Sequence, residues 1–193
     1  RSMKNLMNEA YSRDLSSKIG AAFDAKRANG EMLYRIVPYG YKKSGDPKHP
    51  YIIDEPATQN IRMFFEMYAD GYSLGKIAEH CNNICLPTPS EYKAAKGLGG
   101  SRIPEYSIWN GTMIGKMLRN PVYLGHMQQE ISYRRFCDNQ PQIYYPKSQW
   151  KLYKNVNEPI ISQELWDKVQ SMLLSHSYSK SSDCPERHKE SLV

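Results

Sequence analysis

The Asn-Pro pair at positions 120 and 121 constrains the fold of this chain most, because it marks the end of a helix. Proline has no backbone N–H, and its ring disfavours helical angles at the residue before it. Between residues 114 and 118 apolar side chains recur at helical spacing, which is typical of a helix with one buried face. We therefore predict a short helix that is capped by Ser107, ends before Pro121 and leads into a strand over residues 122–129.

The opposite face of this predicted helix carries amide, hydroxyl and cationic groups. Such groups suit the major groove of DNA, where an amide can pair with adenine and a cation can reach guanine or phosphate. Gly111 and Gly115 would allow a phosphate backbone or a neighbouring helix to come close. A second interpretation is a surface helix whose polar face is only solvated. The polar residues in question are Asn110, Thr112, Lys116 and Arg119.

The basic charge of the chain is concentrated around this helix. The chain has 193 residues, which suits one large domain or a domain with extensions, and its formal net charge is +6. Between Arg102 and Lys154, eight basic and three acidic side chains leave a local excess of +5. We therefore expect a polyanion as the partner of this segment.

Composition also bears on location and on chemistry. No apolar run is long enough to span a membrane and no secretory signal opens the chain, so we expect a cytoplasmic protein without a membrane partner. The four cysteines include no Cys-x-x-Cys pair, which favours structural thiols over a zinc site or disulfides. Neither a phosphate-binding loop nor a His-Glu-x-x-His motif is present. Asp54 and Glu55 would suit Mg²⁺ in a nuclease, but helix capping explains these carboxylates more simply.

The rest of the chain is predicted to mix helices with short antiparallel strands. Helical periodicity covers residues 4–28, and Gly, Asp and Pro between two aromatic runs favour a hairpin over residues 32–53 with lysines at its tip. Two helices joined at Gly71 resemble the front half of a helix-turn-helix, followed by a long loop over residues 85–106. Further strands are predicted at residues 122–129, 131–136, 142–145 and 150–153, and a last helix at 163–175.

A set of short motifs follows in a fixed order along the chain: Val37-Pro-Tyr-Gly-Tyr41, Ile52-Ile-Asp-Glu-Pro-Ala57, Phe65–Ser73, Lys76-Ile-Ala78, Trp109, Met117–Gly125 and Pro159-Ile-Ile-Ser162. Taken in order, these motifs resemble the recombinase domain of the large serine recombinases, the integrases and transposases of bacterial mobile elements. The resemblance covers residues 4–175 and implies an α+β fold with a helix-turn-helix-like core, a β-hairpin and a small sheet. It implies three segments: the end of a linker helix (1–30), a DNA-binding domain (31–175) and a linker toward a zinc ribbon (176–193).

The resemblance further implies sequence-specific binding of double-stranded DNA during integration, excision or transposition, in a bacterial cell and on its nucleoid. In the family a separate N-terminal domain carries the nucleophilic serine, and we expect other recombinase subunits as partners through domains that are absent here. No residue here matches that catalytic motif, so we assign no nucleophile and expect this segment itself to be non-catalytic. Zinc is expected only in the downstream ribbon, which the chain does not include, and we expect no cofactor here. The alternatives are a free-standing helix-turn-helix transcription regulator, a metal-dependent nuclease and a protein-interaction module.

Placement and charge predict which residues contact DNA. We expect phosphate contacts from Lys26, Arg27, Arg102, Lys116, Arg119, Arg134 and Arg135. Base contacts are expected from Asn110 and Thr112 in the major groove, and the segment that contains Arg35 is expected to cross a minor groove.

Overall fold

The computed structural model describes residues 3–29, 31, 37–97, 107–129, 132–133 and 143–182. Its secondary structure is α+β, as the sequence predicts, with helices and short antiparallel strand pairs. The chain forms two compact units. The first unit comprises Arg1–Gln59 with Pro121–Ile160, and the second comprises Asn60–Asn120 with Ile161–Val193.

The described strands all lie in the first unit, and they pair two by two. β1 pairs with β2, β3 with β6, and β4 with β5, each time antiparallel. The helices are α1 (Met3–Ala28), α2 (Glu55–Ala69), α3 (Leu74–Asn83), α4 (Pro89–Ala95), α5 (Gly111–Leu118) and α6 (Gln163–Ser182). The strands are β1 (Tyr41–Lys43), β2 (Tyr51–Ile53), β3 (Met127–Gln129), β4 (Ser132–Tyr133), β5 (Ile143–Tyr144) and β6 (Lys151–Tyr153).

The first unit is built around buried tyrosines. The rings of Tyr41 on β1 and Tyr123 are stacked with centroids 6.3 Å apart. The Tyr41 hydroxyl donates a hydrogen bond shared between two backbone carbonyls, Val122 at 2.9 Å and Glu158 at 2.8 Å. Three distant segments of the sequence therefore meet at one side chain. The predicted hairpin is confirmed as β1 and β2, and its lysines are exposed: Lys42 and Lys43 lie on β1 and Lys48 in the connecting turn.

The second unit is a helical core that supports α5. Trp109, which is 2% exposed, packs edge-on against Phe64 of α2 with ring centroids 5.1 Å apart. Trp166 of α6 stacks on Phe65, the next residue of α2, at 5.8 Å. Because large rings on neighbouring positions of α2 each meet a tryptophan from another segment, burial of apolar surface holds these elements together. The fully buried aliphatic side chains of this unit include Ile77, Ile114, Leu118 and Val169.

Two predictions for the segment around α5 are wrong. The helix begins at Gly111 and its N-cap is Asn110, whose side chain accepts the N–H of Met113 at 3.0 Å. Ser107 is not the cap, because its hydroxyl is hydrogen-bonded to that of Thr88 at 2.6 Å. After the helix, Pro121–Leu124 forms a 3₁₀ turn instead of the start of a strand. Burial of Val122 and Tyr123 in that turn overrides their preference for extended backbone.

The segment predicted as a loop at residues 85–106 contains a helix that was not predicted from the sequence. α4 starts with a complete capping box, in which Thr88 accepts the N–H of Glu91 and the Glu91 carboxylate accepts the N–H of Thr88 at 2.8 Å. Pro89 occupies the first helical position, where its missing N–H costs nothing. The last helix, α6, also runs to Ser182, beyond the predicted end at residue 175.

Candidate nucleic-acid interface

Three of the predicted DNA-contacting side chains lie on one exposed stripe of α5. Ile114, Gly115 and Leu118 are buried, whereas Thr112, Lys116 and Arg119 are exposed. The spacing of 112, 116 and 119 keeps these three within a narrow sector of the helix surface at 100° per residue. The structure therefore separates an apolar face that is packed from a hydroxyl and cationic face that is accessible.

Asn110 is exposed too, but it lies at the N-terminal end of α5, and its side-chain amide oxygen already accepts a hydrogen bond. That oxygen accepts the N–H of Met113, which satisfies one of the free donors of the first turn. The side-chain NH₂ group takes no part in this cap bond and can donate. A donor alone suits a phosphate oxygen or an acceptor on a base edge, whereas two-point pairing with adenine would also recruit the capping oxygen.

The two glycines of α5 face α3, so a neighbouring helix comes close to them. A Cβ atom on Gly111 would lie 3.3 Å from the Leu74 carbonyl carbon and 3.4 Å from the Gly75 nitrogen. On Gly115 it would lie 3.0 Å from Nη1 of Arg119 and 3.2 Å from a methyl carbon of Leu74. These glycines thus permit close packing between the start of α5 and the start of α3, the second of the two helices predicted to form a helix-turn-helix front half.

Trp109 directly precedes the cap residue Asn110, and the Asn82 side chain binds the Trp109 backbone. The Asn82 side chain accepts the Trp109 N–H at 2.8 Å and donates to the Trp109 carbonyl at 3.0 Å. The indole N–H donates to the Leu86 carbonyl at 2.9 Å. Neither Asn82 nor Leu86 belongs to the predicted site, and no local pattern points to them, because they lie 27 and 23 residues from Trp109 in sequence.

The C-terminal end of α5 is secured by two long polar side chains. Gln170 of α6 donates to the carbonyl of Leu118 at 2.7 Å. Arg119 folds back on its own helix and donates from Nη1 to the Gly115 carbonyl at 2.9 Å. Burial raises the pKa of Tyr68, and the positive charge of Arg119 opposes this rise, so the guanidinium group also influences the α2 tyrosine. Arg119 retains further N–H donors for an anion because guanidinium has five.

The remaining predicted contacts fall elsewhere. Lys26 is exposed near the end of α1, and Arg27 belongs to the same helix, in the first unit. Arg35, Arg102, Arg134 and Arg135 lie outside the described residues, so their predicted roles stay predictions.

The sequence contains one motif that is typical of hydrolases, and the structure gives it a role in helix capping. Gly71, Ser73 and Gly75 match the Gly-x-Ser-x-Gly spacing, in which a strand leads into a strained turn at the serine. Here a helix, α2, precedes the serine. Ser73 is the N-cap of α3 with φ −72° and ψ 155°, and its hydroxyl accepts the N–H of Lys76 at 3.3 Å. The motif therefore serves to start a helix.

The described part of the chain contains neither a grouped set of metal ligands nor a membrane-spanning helix. Within residues 3–97, 107–129 and 143–182, apart from the gaps given above, no three His, Cys, Asp or Glu side chains are grouped so as to hold a metal ion. In that described part, none of the helices combines the length and the apolar character needed to cross a bilayer. Cys81 is buried and Cys85 exposed, both as free thiols.

Two solved structures are similar to this chain, each at 16% sequence identity. One is described as "Crystal Structure of a LSR-DNA Complex" (TM-score 0.45, covering 84% of this chain and 38% of the other). The second is described as "Sequence Requirements of the Listeria innocua prophage attP site" (TM-score 0.49, covering 90% and 56%). This chain thus spans well under two thirds of the length of either.

The family match itself rests on sequence. The sequence model of the Recombinase family matches residues 55–175, which is more than half of the chain. The matched range runs from the start of α2 into α6 and includes all of α3, α4 and α5. It confirms the recombinase domain that the order of motifs indicated, and the chain therefore belongs to the Recombinase family.

Proposed function

We propose that this chain is the sequence-specific DNA-binding domain of a site-specific serine recombinase and that α5 reads the major groove of an attachment-site or transposon-end half-site. The observation that carries the proposal is the exposed stripe of Thr112, Lys116 and Arg119 on a helix whose other face is packed. A surface helix whose polar face is only solvated needs no more than its packed apolar face to hold it in place. α5 is in addition held at both ends, by Trp109 and by Gln170.

The roles of the side chains follow from their positions. Lys116 projects from the exposed middle of the stripe and suits a phosphate contact, which fixes register without reading sequence. Arg119 offers the donors that its bond to Gly115 leaves over. Thr112 and the amide of Asn110 lie at the N-terminal end of the helix and suit base edges. Binding through these groups requires no metal, and the proposal assigns zinc and the nucleophilic serine to other domains of the family.

A domain that binds a short DNA site must distinguish that site from a large excess of other sequence, so affinity from phosphate contacts and discrimination from base contacts are both needed. The α5 stripe supplies groups of both kinds, with Lys116 and Arg119 for phosphates and Thr112 for base edges.

The salt dependence of binding tests the proposed interface. We expect Lys116→Ala and Arg119→Ala each to flatten the slope of log K against log salt by about one, because each removes one phosphate neutralisation. The measurement is a fluorescence anisotropy titration of a random-sequence duplex at several salt concentrations. Lys168→Ala is the matched control, since Lys168 is an exposed lysine on α6 of the same unit. Equal slopes for all three variants and the unaltered chain would remove α5 from the interface.

A further inference from the structure

We propose that Asn82 is a positioning residue for DNA discrimination: its side-chain amide clamps the Trp109 backbone and so sets the direction in which the N-terminal end of α5 presents its base-reading groups. This inference rests on the proposed DNA-binding function and concerns a residue outside the DNA-facing stripe. The carrying geometry is the pair of hydrogen bonds from one side chain to both backbone groups of one residue, at 2.8 Å and 3.0 Å.

A two-point clamp restricts rotation as well as distance. One hydrogen bond would leave the Trp109 peptide groups free to turn about it, whereas an accepted and a donated bond from the planar amide fix their orientation. The next residue is Asn110, the cap of α5. Any rotation of the backbone at Trp109 is thus transmitted directly to the cap, to Thr112 two residues further, and to the direction of the helix.

The fold does not depend on this clamp. The Trp109 ring is 2% exposed, packs on Phe64 and donates its indole N–H to Leu86. Leu118 at the other end of α5 is fully buried and capped by Gln170. Asn82 itself is exposed at the C-terminal end of α3, where water competes for its hydrogen bonds. Loss of the Asn82 amide should therefore leave the core folded and allow the orientation of α5 to vary.

Base contacts and phosphate contacts respond differently to loosening. Hydrogen bonds to base edges need correct angles and distances of 2.7–3.2 Å, so a small rotation of the helix abolishes them. A lysine side chain is long and flexible and finds a phosphate from several helix orientations. Loss of the clamp should thus weaken binding to the preferred DNA sequence and leave the salt-dependent affinity for non-specific duplexes unchanged.

The test compares Asn82 with its neighbour Asn83, another exposed amide in the last turn of α3. The unaltered chain first selects a duplex from a random-sequence library, and binding is measured to that duplex and to a scrambled version. We expect Asn82→Ala to reduce the ratio of the two affinities about tenfold, and Asn83→Ala to keep the ratio. Asn82→Asp should act like Asn82→Ala, because a carboxylate oxygen then faces the Trp109 carbonyl, while Asn83→Asp controls for the added charge.

Two further readouts separate the possible failures. The slope of log K against log salt on the scrambled duplex should be the same for Asn82→Ala and Asn83→Ala. Amide hydrogen exchange at residues 109–113 should be faster in Asn82→Ala than in Asn83→Ala, with unchanged protection in α2. An unchanged affinity ratio in both Asn82 variants overturns the inference. If the unaltered chain selects no duplex and shows no salt-dependent binding, the proposed function fails, and unchanged exchange at 109–113 would then overturn the clamp by itself.

Discussion

At the scale of single residues, backbone conformation and close contact restrict what this chain tolerates. Gly125 follows the 3₁₀ turn at Pro121–Leu124 with φ of +81°, and a Cβ atom there would lie 2.5 Å from the carbonyl oxygen of Asn157. The Gly125 carbonyl accepts the N–H groups of Val156 and Asn157 at 2.9 Å and 3.1 Å. Glycine is thus required at this position for two reasons: the backbone is left-handed, and a side chain would clash with the Asn157 carbonyl oxygen.

We expect Gly125→Ala to lower the free energy of unfolding by roughly 2–4 kcal/mol, because backbone strain and a clash with backbone atoms add. Gly45→Ala is the matched control: Gly45 has φ of +93° but nothing within 4 Å of a Cβ atom. The control should lose only the backbone contribution, roughly 1–2 kcal/mol. Urea unfolding at equilibrium measures both, and equal losses would show that the Asn157 oxygen moves aside at little cost.

At the scale of elements, α5 is too short to be stable by itself. A helix of eight residues is well below the length at which isolated helices persist in water, so its stability must come from caps and packing. The structure supplies an Asn110 cap at one end, a Gln170 hydrogen bond at the other and burial of Ile114 and Leu118 between them. A helix built in this way depends for its stability on residues outside its exposed stripe.

The two roles of Asn110 can be separated by substitution. Aspartate retains the capping oxygen and adds a negative charge at the positive end of the helix, so Asn110→Asp should unfold at the same urea concentration or a slightly higher one. Asn110→Ala loses the cap and should cost about 1 kcal/mol. DNA affinity should fall in both variants, and more in Asn110→Asp, because the donor is lost and a carboxylate faces phosphate.

Unfolding and duplex titrations on the same preparations measure these effects. Asn110→Asp with undiminished DNA binding would place Asn110 outside the interface. Asn83→Asp provides a comparison for the added charge, since Asn83 is exposed and in the same unit.

At the scale of the whole molecule, each unit has its own buried aromatic centre, and the division between the units passes through α2. The first unit also includes α1, whose apolar stripe stays exposed: Met7 and Tyr11 are each 69% exposed, and Phe23 41%. Such a stripe is consistent with the predicted linker helix at residues 1–30, which stays a prediction. Both units bury ionisable groups in their neutral form, which links their stability to alkaline pH.

We expect the free energy of unfolding to fall as the pH rises from about 9 toward 11. Burial raises the pKa of Cys81 from 9.0 to about 11, so the unfolded thiol ionises first while the folded one keeps its proton. Stability is complete below pH 9 and is lost as the pH approaches 11, by roughly 1 kcal/mol at pH 10 for this group. Burial also raises the pKa of Tyr41 and of Tyr123, and their contribution has the same sign at higher pH.

Urea unfolding at a series of pH values measures this loss, and Cys81→Ala is the diagnostic variant. It lacks the ionisable thiol, so its stability should fall less steeply between about pH 9 and pH 10 than that of the unaltered chain. Parallel curves for the two proteins would rule out Cys81 as the titrating group.

By itself, the sequence determined what depends on neighbours along the chain. The period of 3.6 residues placed Ile114 and Leu118 on one face of α5 and Lys116 and Arg119 on another, and the structure confirms that division. The Gly-Asp-Pro turn similarly indicated the hairpin of β1 and β2. The capping box of α4 was also readable from Thr88 and Glu91, and the long-loop interpretation missed it.

Only the tertiary structure decided where α5 begins and which contacts hold its N-terminal end. Ser107 and Asn110 are both good caps, and local preference does not choose between them. The choice is made by Thr88, which engages the Ser107 hydroxyl, and by Asn82, which holds Trp109 in place for Asn110 to cap. These partners lie 19 and 27 residues away in sequence, and they become neighbours only because burial of the Trp109 ring against Phe64 brings their segments together.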